Sequence, residues 1–284
     1  MKKNKLLIID PQNDFCSPKG ALYVKNAEKD MDRLKQFIQK HIMKINEIHI
    51  TKDTHQKYDI AHPSYWKNNK DEHPEPFTII TFEDFKKGKY TPVDSKEYAW
   101  VKFYLINIEK NKKQPLCIWP EHCAKQEGWN LYEPIEYIYK TNIENSNIDI
   151  IEHLKGYFYR SEHFSAIDAE VPFLQENRKK TKEGYVSYEE NITRNNILIN
   201  NLQNEDTNKL LIAGEASSHC LGATVKDIIE DPEININLNK VYILKDATSP
   251  VEGFESQEQK YFNYFKKHNI NIVNIEEMEK ILNE

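Results

Sequence analysis

The stretch Leu210-Leu211-Ile212-Ala213-Gly214-Glu215-Ala216-Ser217-Ser218-His219-Cys220 constrains the fold more than any other. It opens as a short apolar run of the buried-strand type. It breaks at Gly214 among small residues, then resumes at helical spacing through Leu221, Val225 and Ile228-Ile229. A strand that turns directly into a helix belongs in an α/β layer fold. The turn also places a cysteine where the strand ends and the helix begins. The first turn of a helix has unpaired N–H groups and a partial positive charge, which favour thiolate over thiol. The same N–H groups can bind the oxyanion of a carbonyl under attack. A small cysteine packed behind a strand fits this stretch equally well, so partners elsewhere in the chain decide between the two readings.

The alternation recurs along the chain. Strands are expected at 5–10, 47–52, 115–119, 147–154, 208–216 and 240–245, with an edge strand at 271–275. Helices are expected at 26–45, where Met31, Leu34, Phe37-Ile38 and Ile42 form one apolar face and Asn26 is the N-cap, and at 95–110, 129–139, 217–230, 255–267 and 276–282. Residues 188–203 are also amphipathic. Strands alternating with helices predict a three-layer, doubly wound α/β fold, a mostly parallel sheet with helices on both faces. The 284 residues are read as one domain, with residues 66–113 as an insertion that serves as a lid or an oligomer contact.

Composition narrows the function. The net charge is −6 and the basic residues are dispersed, which argues against a nucleic-acid partner. The apolar run at residues 6–9 is too short for a signal peptide and ends on Asp10, and no stretch approaches a membrane span. Four cysteines (Cys16, Cys117, Cys123, Cys220) with no CxxC pair predict a reducing, cytoplasmic setting.

In open α/β sheets, ligands bind beyond the carboxyl ends of the strands. Asp10, Asp53 with His55, His122, Lys155 and Cys220 all stand at or just past such predicted ends. Asp53-Thr54-His55 can present a carboxylate and an imidazole on one side, a geometry able to hold a divalent metal. Each residue alone has an ordinary structural explanation; their collection on one rim points to an enzyme.

At these positions the sequence resembles the isochorismatase-like cysteine hydrolases, and within them the nicotinamidases. The resemblance is carried by Asp10-Pro-Gln-Asn-Asp-Phe15, Asp53-Thr-His55, Trp119-Pro-Glu-His122-Cys123, Lys155-Gly156 and Gly214-Glu-Ala-Ser-Ser-His-Cys220, in that order. It implies a catalytic triad of Asp10, Lys155 and Cys220. It implies Asp53, His55 and His122 as ligands of one divalent metal, Zn²⁺ or Fe²⁺. It also implies a cis peptide at Glu215–Ala216, with the N–H groups of Ala216 and Cys220 holding the oxyanion. Phe15 and Trp119 would sandwich a flat ring. His62 is either a fourth ligand or a surface histidine before Pro63, and His219 is read as structural. Lys140-Thr141 is a rival for the triad lysine but lacks the following glycine.

The implied reaction is deamidation of nicotinamide to nicotinate, feeding NAD salvage. The alternatives are hydrolysis of another small amide or carbamoyl compound, a thiol-based redox protein, or a non-catalytic metal-binding, oligomerising protein. A homo-oligomer is expected. The sequence departs from the family pattern at Ala124-Lys125-Gln126-Glu127-Gly128, where a Gly-Thr-x-Gly turn is usual, in the longer insertion, and in the bulky, basic Tyr157–Arg160.

Overall fold

A computed structural model describes residues 2–112, 115–145, 148–172 and 193–283. Its centre is a six-stranded sheet: β1 (Lys3–Ile9), β2 (Glu47–Asp53), β3 (Asp149–Lys155), β4 (Thr207–Gly214), β5 (Val241–Leu244) and β6 (Asn271–Val273). The strand order is β6-β5-β4-β1-β2-β3, and every pairing in it is parallel. The chain runs outward from β1 through β2 to β3, then returns to the other side of β1 as β4. The order therefore reverses between β1 and β4, the place where such sheets open a crevice for ligands.

Side chains alternate between the faces of a strand, and the core divides accordingly. Leu6, Ile8, Ile48, Ile50, Leu211 and Ala213 pack on one face against α1 (Ala27–His41), α2 (Glu133–Asn145) and α3 (Ile275–Asn283). Leu7, Ile9, Leu210, Ile212 and Ile243 pack on the other against α4 (Cys220–Glu230), α5 (Glu255–Lys267) and the short helix Asn196–Leu202. Each fully buried Leu or Ile contributes about 1.5–3 kcal/mol relative to exposure. The layered α/β architecture read from the sequence is the one found. Among the described residues no helix is long and apolar enough to cross a membrane.

Residues 66–113 build a third apolar cluster with their flanks, where Tyr65, Trp66, Phe85, Val101, Tyr104 and Leu105 meet Ile60 and Ile118. Glu97, almost fully buried, accepts two 2.8 Å bonds from the Arg160 guanidinium and so ties this segment to the loop after β3.

Several local expectations are corrected. Residues 115–119 do not join the main sheet. Only Leu116–Cys117 is extended, and it pairs antiparallel with Ile79–Ile80. Pro115 and Pro120 bracket this run without N–H donors, and Ile118 and Trp119 donate to Thr78 and Ala61 instead. The helix expected at 129–139 begins at Glu133, because Leu131 bridges Gln12 and Pro134 sits in the first turn. Asn26 precedes α1 but is left-handed (φ 76°), and its side chain makes no cap hydrogen bond. The helix expected at 95–110 is a 3₁₀ turn at Ser95–Glu97, an α-helix at Tyr98–Asn107 and a π turn at Ile108–Lys112. Of residues 188–203, only Asn196–Leu202 is a described helix; residues 188–192 lie outside the described part.

Candidate active site

Asp53 and Lys155 end neighbouring strands in register, so their side chains leave the sheet together. Asp10 follows β1 directly with φ 44°, and Cys220 is the first residue of α4. Two glycines allow this convergence. A Cβ on Gly214 (φ 103°) would come within 2.1 Å of Ile9 O, and one on Gly156 (φ 82°) within 2.5 Å of Asp53 Oδ1.

Lys155 Nζ lies 3.0 Å from Asp10 Oδ2, 3.1 Å from Asp53 Oδ1 and 3.8 Å from Cys220 Sγ, and donates to His163 O at 2.8 Å. Asp10, Lys155 and Cys220 thus meet at one point, all buried. Lys140, the rival lysine, sits on the solvent face of α2 paired with Glu136. Thr51 Oγ1 donates to Asp10 Oδ1 at 2.6 Å and holds that carboxylate in place.

The electrostatics follow from burial. Burial disfavours the Lys155 charge, but Asp10 and Asp53 outweigh it and hold the ammonium well above its ordinary pKa. Burial raises the Asp10 carboxyl, Lys155 pulls it back, Asp53 pushes it up again, and it ends above the ordinary carboxylate range. Burial also pushes the Cys220 thiol well above its usual value, and the Asp10 and Asp53 charges add to this against Lys155. The helix N-terminus and the ammonium are outweighed by desolvation and two carboxylates, so the resting sulfur carries its proton beside a carboxylate able to take it.

Asp53, His55 and His122 offer one buried ligand atom each, all within 4.8 Å of one another. His55 Nε2 lies 3.1 Å from Asp53 Oδ2, and its Nδ1 is 3.1 Å from Asp59 Oδ2. His122 Nδ1 faces Pro120 O at 2.8 Å. Both histidines have their Nδ1 side engaged, which leaves Nε2 toward the cluster, the arrangement metal-binding histidines use. Burial and the neighbouring His55 push His122 down to about 3, so it is neutral. His62 is not part of the cluster: its Nε2 lies 3.3 Å from His122 Nδ1, and its Nδ1 faces Gln56 O at 3.0 Å. His122 reaches the site from an irregular segment pinned by Trp119 N to Ala61 O and Cys123 N to Asp14 Oδ2, rather than from a main-sheet strand end.

Phe15, Trp119, Glu162, Phe164, Ala216 and Cys220 line a narrow pocket over this group. Phe15 packs edge-on to His122 at 5.5 Å, and Trp119 packs edge-on to His219 at 5.4 Å. His219 forms part of the aromatic wall and is pushed down to about 4 by burial. The Glu215–Ala216 peptide is cis.

Sequence reading missed four residues here. Gln12 clasps Asp53 through Asp53 N (2.6 Å) and Asp53 O (2.8 Å). Thr51 precedes Asp53 by two and faces the same side. Asp59 is the His55 partner. Glu162 brings Oε1 within 3.8 Å of His55 Nε2, and burial pushes its carboxyl up to about 7. The period-two spacing of Thr51 and Asp53 was a usable signal; Asp59 and Glu162 depend on loop geometry.

No protein-family profile matches the chain. Among curated proteins, the nicotinamidase of Saccharomyces cerevisiae is 25% identical over 269 residues, 94% of this chain and 98% of that one. The solved structure of the yeast nicotinamidase superposes with a TM-score of 0.61 at 22% identity, covering 95% of this chain and 99% of that chain. A nicotinamidase/pyrazinamidase from Acinetobacter baumannii gives 0.62 at 15% identity over 98% and 99%. The pyrazinamidase of Pyrococcus horikoshii in complex with zinc gives 0.51 at 19% identity over 96% and 99%. Sequence and fold thus lead to one group: along nearly its whole length the chain is similar to nicotinamidases, the group whose motifs its sequence resembles.

Proposed function

We propose that this enzyme hydrolyses nicotinamide to nicotinate and ammonia through a thioester on Cys220. One observation carries the reading: a single ammonium, Lys155, touches the carboxylate that would serve as base, the sulfur that would attack, and a carboxylate of the metal-capable cluster.

Asp10 takes the Cys220 proton as the sulfur attacks the amide carbon. The N–H groups of Ala216 and Cys220 hold the oxyanion, donors whose loss in other enzymes costs about 3–4 kcal/mol. Protonated Asp10 returns its proton to the departing ammonia. Water, deprotonated by the same carboxylate, attacks the thioester and releases nicotinate and the thiol. Lys155 stays charged throughout and offsets the charge on Asp10.

One carboxylate and two imidazoles, buried and oriented through their outer nitrogens, fit a divalent cation, and Asp53, His55 and His122 would hold it. Bound there, zinc supplies a Lewis-acidic site for a pyridine ring nitrogen. Phe15 and Trp119 then confine the flat ring. The four cysteines are all unpaired, which fits a reducing cytoplasmic setting.

Ammonia release measured across nicotinamide, pyrazinamide, benzamide and small carbamoyl compounds tests the proposal. Nicotinamide and pyrazinamide are expected to be turned over at least tenfold faster than benzamide, which lacks the ring nitrogen. Preference for a carbamoyl compound, or no ammonia from any of them, overturns the assignment.

A further inference from the structure

Glu215, the residue immediately before Ala216, is a fully buried acid with no role in the steps above. Its Oε2 accepts from Ser249 N at 3.1 Å. Its Oε1 is buried, and no N–H or O–H among the described residues reaches it. Beside it lies another carboxyl: one residue, Ser249, bonds both acids, through its N–H to Glu215 and through its hydroxyl to Asp30 on α1. Asp30 is itself bound by Ser249 Oγ at 2.5 Å and paired with Arg33. Two buried carboxylates side by side repel unless one proton sits between them.

The pair joins three segments. Arg33 Nε donates to Asp246 O at 2.6 Å, and Ser217 N donates to Ser249 O at 3.0 Å. Val251 N donates to Ser218 Oγ at 3.0 Å. The Ser249 loop after β5 is thus bonded both to α1 and to the loop that carries Ala216 and Cys220. Glu215 and Asp30 form the buried end of that strut.

We propose that Glu215, in its neutral acid form, donates a hydrogen bond to Asp30 and acts as a positioning residue that holds the Ala216 N–H for the oxyanion. This rests on the amidohydrolase reading above. Burial raises the Glu215 carboxyl well above its ordinary value and the Asp30 charge adds to this, while Ser249 N opposes it. The other charged and titratable groups around the pair are Arg33 on α1, the Cys16 thiol and Glu258 on α5, which accepts from Ser217 Oγ at 2.6 Å. Loss of the shared proton at alkaline pH sets two charges side by side beneath the loop, and the Ala216 amide moves off its target.

The test compares wild type, Glu215→Gln and Glu215→Leu as metal-loaded enzymes on nicotinamide. A leucine cannot bond to Asp30, and kcat is expected to fall about tenfold with KM changed less than twofold. Glutamine keeps a donor toward Asp30 at every pH. It should restore kcat and move the alkaline fall of kcat to higher pH. A leucine variant with wild-type kcat, or a glutamine profile superimposed on that of wild type, overturns the proposal. If the leucine variant does not fold, the glutamine comparison decides alone. An infrared difference spectrum of wild type minus Glu215→Gln reads the proton without turnover. The carbonyl band of a protonated carboxylic acid is expected, and its absence refutes the shared proton. Failure of wild type to release ammonia would refute the amidohydrolase reading, while the infrared band still reports on the pair.

Discussion

Asp53 Oδ1 lies 3.1 Å from Lys155 Nζ, while Oδ2 of the same carboxylate lies 3.1 Å from His55 Nε2. One side chain therefore belongs to both the metal-capable cluster and the group around the nucleophile. The two can be separated by mutation. His122→Ala removes a ligand that does not touch Lys155. It is expected to lose most bound metal and raise KM at least about tenfold, with Cys220 alkylated at near the wild-type rate. Asp53→Asn removes a ligand and a charge beside Lys155, and should change both metal content and alkylation rate. Elemental analysis and iodoacetamide kinetics on the two variants check this.

Among the described residues, Lys155 is the only cation against both Asp10 and Asp53. Lys155→Met leaves the buried Asp10 without its cation and Asp53 with His55 alone. Removing one partner of a buried ion pair costs about 3–5 kcal/mol, so denaturant unfolding should show a loss of that order, along with a fall in kcat of at least about a thousandfold. An unchanged midpoint would show that the carboxylates are neutralised some other way.

The base must be a carboxylate to accept the thiol proton, and burial holds Asp10 above the ordinary carboxylate range. Activity is therefore present above the raised Asp10 pKa and is lost as pH falls through it. The acid limb of kcat/KM should lie above the ordinary carboxylate value of 3.8, and Asp10→Asn should have no measurable turnover at any pH. A limb at or below pH 3.8 would show that Asp10 is not raised.

Stability carries a separate pH signature. His49 Nδ1 and His153 Nε2 lie 3.0 Å apart on β2 and β3. Burial pushes His153 from 6.5 down to about 4 and also lowers His49. A histidine whose folded pKa is depressed binds fewer protons folded than unfolded. Stability is then complete above pH 6.5 and declines as pH falls toward 4, by up to about 3 kcal/mol from His153 alone. Urea titrations from pH 7 to 4 should show this decline, and His153→Gln should make it shallower, the remainder coming from the other buried histidines such as His219 and His122.

The sheet and its two helical faces were legible because Leu6, Ile8, Leu211 and Ala213 on one side, and Leu7, Ile9, Leu210 and Ile212 on the other, are set by period-two alternation within continuous apolar runs. Asp10, Asp53, Lys155 and Cys220 were legible because each ends a strand or starts the helix after one. The segment 115–119 misled because an apolar run shows neither which sheet it joins nor that the prolines at its ends deny it a place in the centre. The weight of burial at Cys220 was not legible: the helix terminus and the two acids are visible in sequence, but how far from solvent they meet the sulfur is not. The Glu215–Asp30 pairing spans 185 positions, and no local pattern announces it.

Ammonia release from nicotinamide by Cys220→Ala, folded and metal-loaded, tests the central claim most directly. With the sulfur gone, no thioester can form, and turnover is predicted to vanish while the unfolding midpoint stays near that of wild type. Ammonia release by that variant at more than about a hundredth of the wild-type rate would contradict a mechanism in which Cys220 attacks the amide.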